Sequence, residues 1–152
     1  MENISEHISY SEATKSNLAI KKRIDNTPDE EQLKNMKLVA EHVFEPTRKH
    51  FGKALFVTSF FRSEKLNKAL GGSKTSQHME GKAMDIDGDL SGIDNREIYK
   101  FIKENLEFDQ IIIENADKNG KPAWIHVSYS EGNNRKQVFQ KKKGSSKYIL
   151  VS

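Results

Sequence analysis

The stretch Ser76–Asp87, SQHMEGKAMDID, fits a turn, a strand and two side chains able to bind metal into one short segment. His78 and Asp85 stand seven residues apart, with Gly81 between them. On one uninterrupted strand that odd separation sends the two side chains to opposite faces. A reversal at Gly81, the residue type that turns most freely, is needed before both converge. A third candidate lies in Ala123–Tyr129, AWIHVSY, where strand alternation puts Trp124, His126 and Ser128 on one face. If the three are to meet, two distant stretches of chain must fold together.

The 152 residues are near the usual size of one domain and include no long linker or repeat, so the expectation is a single domain spanning residues 1–152. No apolar run approaches the roughly 20 residues of a membrane-spanning helix, and MENISEHISY lacks the basic start and apolar stretch of an export signal. The expectation is synthesis in the cytoplasm and no membrane span. With no cysteine there is no disulfide framework, no thiolate metal site and no cysteine nucleophile, so any metal must be held by His, Asp or Glu. Lys and Arg number 25 against 22 Asp and Glu, a net charge of +3 that could assist binding to nucleic acid or cell wall without choosing between them.

The first 26 residues are polar, with a short helix expected near Ser11–Asn17. Thr27-Pro28-Asp29-Glu30 reads as a capping box that starts a helix carrying Leu33, Met36, Val39, Ala40 and Val43, and Pro46 should kink or end it near Glu45. Ala54–Phe60 reads as a buried strand, followed by a short helix capped by Ser63 and stopped by Gly71-Gly72. Asp94 and Glu97 form a cap pair for a helix bearing Ile98, Phe101, Ile102 and Leu106 that ends by Phe108. Asp109–Glu114 and Trp124–Tyr129 form an antiparallel hairpin. The fold class is α+β, a small antiparallel sheet with helices packed on it. Residues 132–152 read as a basic, solvated tail with room for a last strand at Tyr148–Val151.

Two imidazoles and a carboxylate suit zinc, and three protein ligands leave one position open for water, which is a catalytic arrangement. Hydrolysis of an amide is the natural reaction for such a site. Taken alone the trio is weak, because the chain has five histidines and many acids, and surface or hydrogen-bonding roles compete.

Ser76-x-His78-x-x-Gly81-x-Ala83-x-Asp85, followed by Trp124-Ile125-His126, resembles the signature of the zinc D-Ala-D-Ala carboxypeptidase family. That family includes phage L-alanyl-D-glutamate endopeptidases, vancomycin-resistance dipeptidases and, more distantly, hedgehog-type domains. TSFFRSEKLNKALGGS resembles the family's stretch before the first zinc histidine, while SYSEATKS, IDNTP and FEPTRKHFG resemble the small phage and prophage members, so the similarity runs from about Ile8 to Tyr129. The resemblance implies zinc held by His78, Asp85 and His126, with peptide bonds of peptidoglycan stem peptides as substrate and the cell wall as the place of action. Arg62, otherwise a surface arginine after a strand, then stands where the family contacts a substrate carbonyl or carboxylate. Ser76 would donate to substrate or fix its loop, and Trp124 would wall the cleft or simply join the core.

Many family members carry an acid three residues before the last zinc histidine, where this chain has Ala123. Glu114 is the substitute. With the hairpin loop centred near Asn119 it falls opposite Trp124, within a diagonal of His126, as general base or as a partner orienting a ligand imidazole. Asp87, two residues from Asp85, could exchange roles with it. His7, His42 and His50 fit no pattern. The leading reading is a zinc peptidase. Its competitors are a non-catalytic, zinc-containing wall-binding module, to which Ala123 points, and a nucleic-acid-binding domain, disfavoured because only the basic tail supports it.

Overall fold

In the computed structural model, which describes residues 2–152, two short helices replace the one expected near the start. α1 (Tyr10–Thr14) is capped by Ser9 in a box with Glu12, and α2 (Asn17–Lys22) by Ser16. The break arises because the Ser16 hydroxyl accepts the Ala19 N–H and starts a fresh turn. The next helix, α3 (Glu30–Val39), is capped by Asp29 with Gln32, not by Thr27 with Glu30. Thr27 is engaged elsewhere, its hydroxyl and N–H both bound to Asp25.

Pro46 does not end this helical rod. A π turn over Ala40–Phe44 precedes it and α4 (Glu45–Phe51) continues beyond. A widened turn suits a residue that lacks an N–H and whose ring crowds the carbonyl four positions back. After β1 (Phe56–Ser59) comes α5 (Glu64–Ala69), capped by Ser63 as expected, and then a 3₁₀ turn at Gln77–Glu80. β2 (Ala83–Asp87), α6 (Asn95–Asn105, capped by Asp94), β3 (Gln110–Ala116) and β4 (Trp124–Ser128) follow.

The tail is mostly exposed but not unstructured: it forms β5 (Gln137–Lys142), which was not expected, and, within the last strand expected at Tyr148–Val151, the two-residue β6 (Ile149–Leu150). The sheet order is β1-β2-β4-β3-β5-β6, antiparallel except for the parallel β3–β5 pair. The fold is α+β, as the sequence implies.

Alternation gives the sheet two different faces. Met84, Ile86, Ile111, Ile113, Ile125, Val127 and Val138 join Met36, Val39 and Phe44 of the rod and Ile98 and Ile102 of α6 in one buried core. Each such side chain, fully buried, contributes about 1.5–3 kcal/mol. The intervening residues, among them Asp85, Ile112, Glu114, Trp124, His126 and Phe139, line a cleft on the opposite face. No helix among the described residues is long and apolar enough to cross a membrane.

Candidate metal centre

His78 sits on the 3₁₀ turn, whose first residue is set by the Ser76 hydroxyl accepting the His78 N–H. Gly81 ends that turn at φ +73°, and a Cβ there would collide with the Gln32 carbonyl oxygen and the Met36 side chain. Glycine thus allows both the left-handed turn and the close approach of α3. Two amides of α3 hold the loop: Gln32 Nε2 donates to the Met79 carbonyl (3.0 Å) and Asn35 Nδ2 to the Glu80 carbonyl (3.0 Å). The reversal demanded by the His78–Asp85 spacing is built against a helix.

β2 presents Asp85 and β4 presents His126 directly across the ladder from it. His78 Nδ1 lies 2.6 Å from the Phe60 carbonyl, which can only accept, so Nδ1 carries the proton and Nε2 keeps a bare lone pair. That Nε2 is buried without a hydrogen-bond partner and lies 3.4 Å from Asp85 Oδ1. His126 Nδ1 lies 3.2 Å from the same oxygen. Donor atoms sharing one tetrahedral zinc at about 2.0–2.1 Å stand about 3.3 Å apart. The set fits such an ion, and a stranded lone pair facing a carboxylate is stabilised by a cation between them.

Arg62 Nη2 is 3.9 Å from Asp85 Oδ2. Its Nε donates to Ser59 Oγ (3.3 Å) and its Nη1 to Asn67 Oδ1 (3.1 Å), while Asn67 is itself fixed by donating to the Ser73 carbonyl. Glu114 pairs opposite Trp124 across β3–β4, in the register the hairpin spacing gives. Burial, with a smaller push from Asp85, raises its carboxyl above the ordinary glutamate value, partly offset by His126. Arg62, Ser76, His78, Asp85, Glu114, Trp124 and His126 all line one cleft of about 370 Å³. These seven residues named from sequence are therefore brought to a single place.

A family model described as Peptidase M15 matches residues 6–128. The chain belongs to the peptidase M15 family. M15 peptidases are zinc-dependent, so membership implies a metallopeptidase, in line with the resemblance to the zinc D-Ala-D-Ala carboxypeptidases. No curated protein matches it. The stretch shared with the M15 family holds all seven site residues and stops before β5.

Asp87 does not exchange roles with Asp85. Its Oδ1 accepts from the Asp89 N–H (3.0 Å) and from Asn95 Nδ2 (3.1 Å), which ties β2 to the start of α6. His42 stacks on Tyr129 and His50 on Phe101, and His7 pairs with Glu45, so none enters the cleft.

Sequence reasoning missed Phe139 and Tyr148, which close the far wall of the cleft, and Gln77 beside His78. It also missed Asp109, a buried carboxylate that accepts from Arg135 Nε and Nη2 and from Gln77 Nε2 (2.8 Å each). Burial opposes that charge, but these donors hold its pKa at about 2. An acid placed just before an apolar strand was the available signal for Asp109. Nothing local marks Tyr148.

Proposed function

We propose that this M15 peptidase hydrolyses peptide bonds in peptidoglycan stem peptides at the cell wall, in the manner of the small phage and prophage members it resembles. His78, Asp85 and His126 hold the zinc. The observation that carries this reading is the buried, unpartnered His78 Nε2, set beside Asp85 at the floor of a cleft walled by Arg62 and Glu114.

Zinc held by these three residues would supply Lewis acidity and a means of activating water for attack. Glu114, whose buried carboxyl holds a proton more readily than a surface glutamate, accepts the proton of the attacking water and hands it to the departing amine nitrogen. Placed opposite Trp124, it takes over from the neighbouring strand the duty that an acid at position 123 performs in other members. Arg62, held by Ser59 and Asn67, donates to the developing oxyanion or to a substrate carboxylate. Ser76 and Trp124 bind substrate along the cleft wall.

Ala123 favours one other reading, a wall-binding module that keeps zinc but does not cut. Mass spectrometry of products from purified muropeptides separates the two. The expected result is cleavage that a chelator abolishes and zinc restores. Full-strength cleavage by metal-free protein overturns the zinc mechanism, and zinc binding without any cleavage supports the module.

A further inference from the structure

We infer that Tyr148 contacts the substrate: its ring walls the cleft on the side of Glu114, and its hydroxyl donates a hydrogen bond to an oxygen of the bound peptide. This rests on the function proposed above. It adds a binding residue from the β5–β6 segment, which lies beyond the residues 6–128 that match the family.

The ladder register brings the ring to the cleft. Phe139 pairs with Leu150 and Gln140 with Ile149. Two residues before Leu150, Tyr148 returns to the face that Phe139 shares with Ile112, His126 and Asp85. Because β5 runs parallel to β3 and β6 antiparallel to β5, that step also carries it from the row of Ile112 toward the row of Glu114 and Trp124. Phe139 and Tyr148 both line the cleft. Arg62 follows β1 and Tyr148 precedes β6, so groups from the two edges of the sheet bound one space.

The backbone at Tyr148 is held from both directions. Before it, the Ser145 N–H donates to the Lys142 carbonyl (3.0 Å) and the Lys147 N–H to the Ser145 hydroxyl (3.1 Å). After it, the Val151 N–H donates to the Val138 carbonyl (2.8 Å) and the Val138 N–H to the Ser152 carbonyl (3.1 Å). What this fixed backbone presents is a half-exposed ring whose hydroxyl no described residue engages. Tyrosine offers apolar faces and one polar tip, which suit the side chains and the carbonyls of a peptide. Burial, then the negative charges of Glu114 and Asp85, raise its pKa above the ordinary tyrosine value against a smaller effect of Arg62, so the hydroxyl stays a neutral donor. No hydrogen bond ties it to Glu114, which leaves base and donor free to act on the peptide separately.

The test compares the full-length, zinc-loaded parent with Tyr148→Phe, which keeps the ring, and Tyr148→Ala, which loses ring and hydroxyl together. Purified muropeptides are the substrate, and their isolated cleavage products are titrated by calorimetry as ligands that bind without turnover. In Tyr148→Phe, loss of one hydrogen bond should raise KM and weaken product binding about three- to tenfold. Its kcat, zinc content and Tm should not change, because a contact made equally before and during reaction shows in KM. Tyr148→Ala should lose roughly another tenfold with the apolar area of the ring. Parental KM and product affinity in both variants overturn the inference and leave the peptidase reading standing, as does a loss confined to kcat. If the parent binds zinc and muropeptides without cutting them, the peptidase reading falls, and the muropeptide affinity of Tyr148→Phe decides the contact by itself. Zinc binding with neither cleavage nor muropeptide binding overturns both.

Discussion

Among the described residues two clusters bring histidine and carboxylate atoms within reach of one ion: His78–Asp85–His126 and Glu6–His7–Glu45. By proximity alone they are alike. In the second, Glu45 accepts from the Ser5 hydroxyl and from the His7 N–H (2.9 Å), and the His7 ring lies 2.6 Å from its other oxygen, while Glu6 and His7 face solvent. Its hydrogen bonding is complete without an ion. In the first, all three residues are buried and His78 Nε2 has no partner. What distinguishes a metal centre from a crowd of ligand types is unmet demand in a place water does not reach.

Mutation and metal loading can break or sharpen that contrast. The largest effect is expected at the buried cluster, where Asp85→Asn or His126→Ala should abolish stoichiometric zinc and lower muropeptide cleavage on the order of 10³-fold or more. His7→Ala should change neither. Zinc content and product formation measure this, and full zinc in Asp85→Asn would erase the distinction between the clusters. Next comes Glu114→Gln, which should keep zinc yet lose about 10²–10⁴-fold in turnover; near-normal turnover would remove Glu114 as base. Zinc itself, at a hundred times its Kd, should stabilise the fold by about 2.7 kcal/mol. Calorimetry should show that as a rise of roughly 5–10 °C in Tm for a domain of this size, absent from the Asp85→Asn protein.

Asp109 is the useful control, a buried carboxylate satisfied by Arg135 and Gln77 with no metal. Asp109→Asn should cost about 2 kcal/mol in denaturant unfolding. Its folded pKa of about 2 lies below its unfolded value, about 3.9, so its contribution is complete above that unfolded value and is lost as pH falls toward the folded one. Acid titration of stability should show that loss in the parent protein and not in the variant. Smallest is Glu45→Gln, about 1 kcal/mol. Burial works against the Glu45 charge, but bonds from Ser5 and His7 hold its carboxyl below the ordinary value, so this contribution too fades toward acid.

The metal cluster was legible because each step that builds it is short-range: a glycine reversal between His78 and Asp85, and strict alternation through Trp124, His126 and Ser128. The hairpin register that sets Glu114 opposite Trp124 followed from loop length. Legibility failed where pairing is remote. In QVFQKKK the apolar residues are too few to announce a strand, and β5 exists because β3, already fixed by β4, has a free edge that accepts it in parallel. Tyr148 reaches the cleft only through the reversal between β5 and β6, so no window of sequence around it carries the information. At the caps the error was one of competition, since Thr27 looks like a cap until Asp25 takes its hydroxyl. The zinc dependence of the M15 family accords with the ligand chemistry read from the residues.

The brevity of β6 has a practical side. Ile149, Leu150 and Val151 are exposed on the outermost strand, and apolar margins of that kind are what foreign chains add to when proteins aggregate. Here the ladder is only two residues long, and Ser152 already folds back to accept the Val138 N–H, so an incoming strand finds almost nothing to zip onto. A β-forming purification handle fused after Ser152 would lengthen that margin and invite fibres, whereas the same handle before residue 2 would leave it untouched.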